Sequence, residues 1–172
     1  MDFITVAFDK SIDRSAFDCE QHPSLNTYIA QQAGQDEKRN VSRTFMYVQD
    51  GALLGYYTLA NASLALGELS EEQKKQMPMY PMPAVLLSRL AVDKIMQRQG
   101  LGQRLIADFF RRVYEVSKHS GVAFIIVDAK DHAAAGFYQG LQFVPSKHNP
   151  LRLVSSASTI ITGLRAQETK KS

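Results

Sequence analysis

The octapeptide QRQGLGQR, residues 97–104, gathers residue types suited to holding an anion. It carries Gly100 and Gly102, the arginines Arg98 and Arg104, and no acid. It stands at the head of a stretch with helical periodicity. A helix N-terminus leaves backbone N–H groups without intrahelical acceptors and carries about half a positive charge. Phosphate oxygens are natural partners for such a site, and glycine lets the backbone turn tightly and approach a ligand. Gln97-x-x-Gly100-x-Gly102 has no lysine followed by Ser or Thr, which argues against a nucleotide hydrolase. Two glycines rather than three, with no acid at a strand end about twenty residues on, argue against a dinucleotide fold. A pyrophosphate suits the turn. A plain strand-to-helix turn would use the same glycines for geometry alone.

Few other residues offer reactive chemistry. His22, His119, His132 and His148 fall in loops or at helix ends and read as solvated. Asp93 and Glu68 are weak candidates for a general base. Cys19 is the single cysteine, which excludes an intramolecular disulfide and suits a reducing compartment; it reads as a small buried side chain. Arg89 lies inside an apolar run and needs a partner, either a ligand in a substrate groove or a structural acid. Lys38, Arg39, Arg43, Lys74, Lys75 and Arg89 could form a basic surface for phosphates or simply solvate loops. No metal site is expected.

The elements that must position these residues follow from patterning. Phe3–Phe8 alternates as a strand. From Pro23, Leu25, Tyr28, Ile29 and Gln32 fall at helical spacing, with Ser24 as the expected cap. Val41–Gln49 reads as a strand, Asp50-Gly51 as a hairpin turn, and Leu53–Leu66 as the returning strand. Ser70 and Gln73 match a capping box for a short helix, and Pro78, Pro81 and Pro83 exclude regular helix after it. Ala84–Val92 reads as one nearly continuous strand buried on both faces. Gly102–Lys118 is the strongest helix, with Leu101, Leu105, Ile106, Phe109, Val113 and Val116 on one stripe and Arg104, Asp108, Arg111, Arg112 and Glu115 opposite. Val122–Asp128 is a strand, Asp131–Gln139 a helix closed by Gly140, Leu141–Val144 a brief strand and Leu151–Ile161 a final one. The polar end, about 165–172, reads as a mobile tail. This order predicts an α/β fold in one domain, a mixed sheet with helices on both faces and parallel strands joined across residues 84–128.

Bulk properties permit this and exclude little else. The 172 residues are 45% hydrophobic and 22% charged with net charge +3, ordinary for one soluble domain. No apolar run approaches the roughly 18 residues of a membrane span, and the N-terminus is no signal peptide. A cytoplasmic protein is the default.

The run LSRLAVDKIMQRQGLGQRLIADFFRRV (87–113), followed by AAAGFYQGLQFVP (133–145), resembles the GCN5-related N-acetyltransferase (GNAT) family. That family shows R/Q-x-x-G-x-G/A at the head of a helix, met by Gln97, Gly100 and Gly102. It often carries a later FYxxxGF-like pattern, met by Phe137-Tyr138-Gln139-Gly140-Leu141-Gln142-Phe143, with Gln142 where glycine is usual. The resemblance implies a mostly antiparallel sheet splayed at its centre and acetyl-CoA as donor. It implies cofactor contacts from Leu90, Ala91 and Val92, from Gln97, Arg98, Gln99, Gly100, Leu101, Gly102 and Gln103, and from Asp131, Phe137 and Tyr138. It assigns the thioester oxygen to the amide of Val92 or its neighbour and the leaving sulfur to Tyr138. FDCEQHPSLNTYIAQQA (17–33) and SRTFMYVQDGALLGYYTLA (42–60) add a likeness to the acetyltransferase toxins of bacterial toxin–antitoxin pairs, which usually read FDCG where Glu20 stands here. This implies acetylation of the α-amine of an aminoacyl-tRNA, bound through Lys38, Arg39, Arg43 and Arg89. It also implies a homodimer and a ribbon–helix–helix antitoxin.

The chemistry agrees with that acceptor. At pH 7 a lysine amine is neutral only about 0.04% of the time, whereas an α-amine near pKa 7.8 is roughly 15% neutral. The lack of an obvious base therefore favours an α-amine. The rival readings are a metabolic small-amine acetyltransferase, a lysine or protein N-terminal acetyltransferase, and a non-catalytic acyl-CoA-binding module. An acid-lined acceptor pocket would favour the first, and intact Gln97, Gly100, Gly102 and Tyr138 argue against the last.

Overall fold

The computed structural model describes residues 2–75, 77, 78 and 81–172. In chain order the elements are β1 (Val6–Ala7), α1 (Pro23–Thr27), a π-helical turn (Tyr28–Gln32), α2 (Ala33–Lys38), β2 (Arg43–Gln49) and β3 (Ala52–Leu64). They continue with α3 (Glu71–Lys74), β4 (Met82–Leu87), β5 (Leu90–Val92), α4 (Leu101–Ser117) and β6 (Phe124–Asp128). α5 (His132–Gly140), β7 (Val144–Pro145), β8 (Arg152–Ser156) and α6 (Ala157–Lys171) complete the chain. The proline-rich run after α3 falls partly on Gln76, Met79 and Tyr80, outside the described residues. No helix among the described residues is long and apolar enough to cross a membrane. The chain forms two compact units, Met1–Ala60 with Ser88–Arg111, and Asn61–Leu87 with Arg112–Ser172.

In the first unit β1, β2, β3 and β5 pair antiparallel in that order. Asp50 and Gly51, at φ 52° and 77°, close the hairpin between β2 and β3, as Asp-Gly predicts. β1 is shorter than its alternation suggested. The Ile4 amide and Thr5 hydroxyl bond the Asp108 carboxylate instead of a strand partner, and the Tyr57 hydroxyl donates to the same group at 2.7 Å. Asp108 is therefore fully buried, not on the solvent face of α4 where its spacing placed it; helical periodicity cannot register a polar residue with inside partners. Pro23 opens α1 and Ser24 is not its cap, because proline is suited to the first helical position. Phe17, Leu25, Tyr28, Ile29, Met46 and Tyr56 form the core. Where β3 passes the start of α4, a Cβ on Gly55 would lie 3.0 Å from Leu105 Cδ1, 3.3 Å from the Ala91 carbonyl oxygen and 3.4 Å from Leu101 Cδ2.

In the second unit β4 and β6 run parallel, with Ala84 opposite Phe124 and Leu87 opposite Val127. β6 pairs with β8, and β8 with β7, antiparallel. The sheet pairing is thus mixed and mostly antiparallel, as expected. Leu64, Leu69, Met82, Phe124, Ile126 and Val154 form the core. The expected final strand Leu151–Ile161 stops at Ser156, and α6 takes up the rest together with the polar end. The β-branched Thr159, Ile160 and Ile161 imitate a strand. The Ala157 amide bonds the Ala123 carbonyl, and Glu168 accepts from the Tyr114 hydroxyl at 2.6 Å and from Lys118 at 3.2 Å. Residues expected to lack regular structure are therefore helical.

The expected strand Ala84–Val92 is two. β4 ends at Leu87 and β5 begins at Leu90. Ser88 and Arg89 form the break, and only the part before it pairs with β6.

Candidate active site

β5 pairs with β3 through Leu90 opposite Tyr57, Ala91 opposite Tyr56 and Val92 opposite Gly55. Two bonds set the phase of this ladder. The Thr58 amide donates to the Arg89 carbonyl at 3.0 Å, and the Asp93 amide donates to the Leu54 carbonyl at 2.9 Å. Antiparallel bonding recurs at every second residue. The Ala91 peptide groups therefore face β3, and those of Leu90 and Val92 face the other edge, along which no strand pairs among the described residues. The Gln97 side chain donates to the Val92 carbonyl there at 3.0 Å. The Leu90 amide and carbonyl and the Val92 amide make a row that an extended ligand can pair with.

The turn after β5 is braced by backbone contacts. Asp93 is buried, and its carboxylate accepts from the Asp18 and Ile95 amides at 3.0 and 3.1 Å. The Gln97 side chain also donates to the Cys19 carbonyl at 2.9 Å, so both of its donors hold the turn rather than reach out of it. Gln99 donates to the Ile95 carbonyl at 3.1 Å. Arg98 and Gly100 are exposed, with left-handed φ of 61° and 80°. The Gly100 carbonyl accepts the first helical bond, from the Arg104 amide at 3.1 Å. The amides of Leu101, Gly102 and Gln103 thus precede any intrahelical acceptor. A Cβ at Gly100 or Gly102 would meet nothing within 4 Å, so open space adjoins these amides. Leu101 buries its side chain and offers only its backbone; Gln103 is exposed. Arg104 lies over the Tyr47 ring at 5.5 Å.

Tyr138 lies in α5, whose N-terminus is capped by the Asp131 carboxylate, 2.8 Å from the Ala134 amide. Its ring packs edge-on against Phe137 and Phe143, with centroids 5.1 and 6.0 Å away. It is 5% exposed. Burial alone pushes its phenol above the ordinary tyrosine range, with no hydrogen bond or neighbouring charge contributing. The Tyr138 carbonyl accepts from the Leu141 and Phe143 amides at 3.0 and 3.1 Å. Between them Gln142 holds a left-handed φ of 71°, as Glu20 does at 65°. At both positions where the related patterns have glycine and this chain does not, the backbone keeps the torsion that glycine favours.

The basic residues divide. Lys38 and Arg39 are exposed at the end of α2, and Lys75 is exposed after α3. Arg43 is tied to Glu37 at 3.2 Å and Asn40 at 2.6 Å, and Lys74 to Glu71 at 3.2 Å. Arg89 lies over the Tyr28 ring, 3.6 Å from its centroid, so among the described residues its structural partner is an aromatic face and not an acid. Tyr28 was not among the residues the sequence singled out. The only signal was that Arg89 needed company; no spacing links positions 28 and 89. Neither candidate base is idle: Asp93 holds two amides, and Glu68 accepts from the Ala65 amide and pairs with Arg152 at 3.5 Å.

The site can be set beside known proteins. A profile of the family described as Acetyltransferase (GNAT) domain matches residues 14–152. A tRNA-acetylating toxin of Mycobacterium tuberculosis (strain ATCC 25618 / H37Rv) is 36% identical over 132 residues, 77% of this chain and 79% of that one. The structure of AtaT complexed with acetyl-methionyl-tRNAfMet matches with a TM-score of 0.83 at 27% identity, covering 92% of this chain and 97% of that one. A variant of the AtaT toxin bound to the C-terminus of the antitoxin AtaR matches with a TM-score of 0.78 at 25% identity, covering 93% and 95%.

Proposed function

The chain belongs to the acetyltransferase (GNAT) family, and from that premise we propose that it is a toxin that moves the acetyl group of acetyl-CoA onto the α-amine of an aminoacyl-tRNA. The capped amine cannot enter elongation, so translation stops. The likeness to a tRNA-acetylating toxin over most of both chains carries the choice of acceptor. The family match runs through both compact units, which supports reading them as one acetyltransferase domain.

The residues present fit the donor. The open edge of β5 offers backbone pairing to the pantetheine, and the unbonded amides of Leu101, Gly102 and Gln103 offer a seat for the pyrophosphate. Acetyl-CoA supplies the activated acyl group. The Val92 amide, turned to the open edge, polarises the thioester carbonyl; one such donor contributes about 3 kcal/mol to oxyanion stabilisation. Tyr138 donates a hydrogen bond to the departing sulfur. A free phenol lies near pKa 10 and a thiol near 8.5, so full proton transfer is uphill by about 2 kcal/mol. Burial, which raises the Tyr138 phenol further, makes it a persistent hydrogen-bond donor. An α-amine needs no strong base, and the engagement of Asp93 and Glu68 fits that economy. Lys38, Arg39, Arg43 and Arg89 meet the RNA phosphates. The protein acts in the cytoplasm as a homodimer and is restrained by a ribbon–helix–helix antitoxin.

Incubation with labelled acetyl-CoA and charged tRNA tests this. Label should appear on the aminoacyl group and disappear in Tyr138→Phe. Unlabelled tRNA beside rapid acetylation of polyamines would overturn it.

A further inference from the structure

Arg89 occupies an unusual place. It sits at the break between β4 and β5, its carbonyl fixed by the Thr58 amide at 3.0 Å. Its guanidinium carbon lies over the Tyr28 ring, 3.6 Å from the centroid. One N–H donates to Ser88 Oγ at 3.1 Å, and that hydroxyl is 3.0 Å from Thr58 Oγ1. A guanidinium has five N–H donors, and among the described residues no carboxylate takes the rest. A half-buried cation with a purely structural task would ordinarily be paired with an acid.

Tyr28 is held more firmly than packing requires. It begins a π-helical turn, a distortion frequent at functional sites. It is 2% exposed. Its hydroxyl donates to Asp36 at 2.8 Å and lies 3.1 Å from Ser42 Oγ. Its ring stacks on Tyr56 at 6.4 Å and 19°, and Tyr56 is pinned in turn by a 2.7 Å bond to the Leu25 carbonyl. The ring is thus held at its hydroxyl and on one face. It therefore fixes the plane of the guanidinium beside β5 while leaving edge donors available. Such donors match the oxygens of a phosphate.

We propose that Tyr28 is a positioning residue that presents Arg89, at the strand break beside β5, to a phosphodiester oxygen near the acceptor end of the tRNA. This rests on the aminoacyl-tRNA reading above. Tyr28 touches no substrate; it acts through Arg89.

The test is a steady-state double-mutant cycle with charged tRNA and acetyl-CoA varied separately, and a melting curve for each variant. Arg89→Leu should raise the acceptor KM about tenfold and weaken its salt dependence by about one phosphate contact. Arg89→Lys, which keeps the charge and loses the planar fork, should raise it about fivefold. Tyr28→Leu should approach the Arg89→Leu value and add nothing in the Arg89→Leu background, with the acetyl-CoA KM unchanged in every variant. Tyr28→Phe keeps the ring and loses only its tether; it should raise the acceptor KM about twofold, again only when Arg89 is present. It serves if Tyr28→Leu does not fold. Equal effects of the Tyr28 changes with and without Arg89, or parallel rises in both KM values, would overturn the positioning role. Absence of transfer by the unaltered protein would instead overturn the acceptor reading and this proposal with it.

Discussion

The turn after β5 and the end of α5 are built by opposite means. The turn is held by hydrogen bonds between side chains and backbone: Asp93 to the Asp18 and Ile95 amides, Gln97 to the Cys19 and Val92 carbonyls. What it is proposed to offer the donor is main chain. Tyr138 is held by aromatic packing on Phe137 and Phe143, and the group proposed to act there is one hydroxyl. A backbone site is robust to changes in its exposed side chains and fragile in its torsions and braces. A single-hydroxyl site is fragile at one atom and indifferent to torsions elsewhere.

Substitutions can break that contrast or sharpen it. The largest effect belongs to Tyr138→Phe, which should lower kcat about 100-fold or more while leaving the acetyl-CoA KM within about twofold. Because burial raises the phenol, its hydroxyl stays protonated as pH climbs through the range where a free tyrosine ionises, near 10. Wild-type kcat should then show no alkaline decline traceable to Tyr138 below that pH, and a lower midpoint that vanishes in the Phe variant would count against it. Gln97→Leu comes next. It strands two carbonyls, and loss of about 1–3 kcal/mol in urea unfolding is expected, with a weaker acetyl-CoA KM and little change in kcat. Gly100→Ala adds a methyl that meets nothing, so its cost is torsional, about 1 kcal/mol; the acetyl-CoA KM should rise and kcat hold. If kcat fell instead, the turn would be doing more than the proposed seating of the donor. The smallest effects should be gains: Gln142→Gly and Glu20→Gly relieve left-handed strain and should each add about 0.5 kcal/mol to stability, read as a raised Tm.

The same contrast explains what could be read from the chain alone. The turn announced itself through Gly100 and Gly102, since few needs other than tight torsions and close approach place two glycines before an amphipathic helix. The hairpin at Asp50-Gly51 and the long helix α4 were legible for the same reason: each has a local chemical cause. Tyr138 had no local signature and entered only through a family pattern. Three features stayed hidden because their causes are nonlocal. Asp108 is buried by partners about fifty and a hundred positions away in sequence. The break at Ser88–Arg89 depends on which strands lie alongside. The helix at the C-terminus begins directly after a strand, and its early β-branched Thr159, Ile160 and Ile161 favour strand while Leu164, Arg165, Ala166, Gln167 and Glu168 favour helix. Residue type also hid a torsion: Gln142, where glycine is usual, holds the left-handed φ under a side chain that rarely adopts it.

Gly55 leaves its neighbours little room. It acts as a clearance gauge. A Cβ there would lie 3.0 Å from Leu105 Cδ1 and 3.4 Å from Leu101 Cδ2, so β3 and the first turn of α4 are in close contact at this position. A single methyl introduced there would press on the ends of two leucine side chains and on the Ala91 carbonyl oxygen, behind the amides at 101–103. Under the proposed seating of the donor on those amides, its affinity is adjustable from the rear, and a search for tuning variants confined to the visible surface of the site would overlook this position.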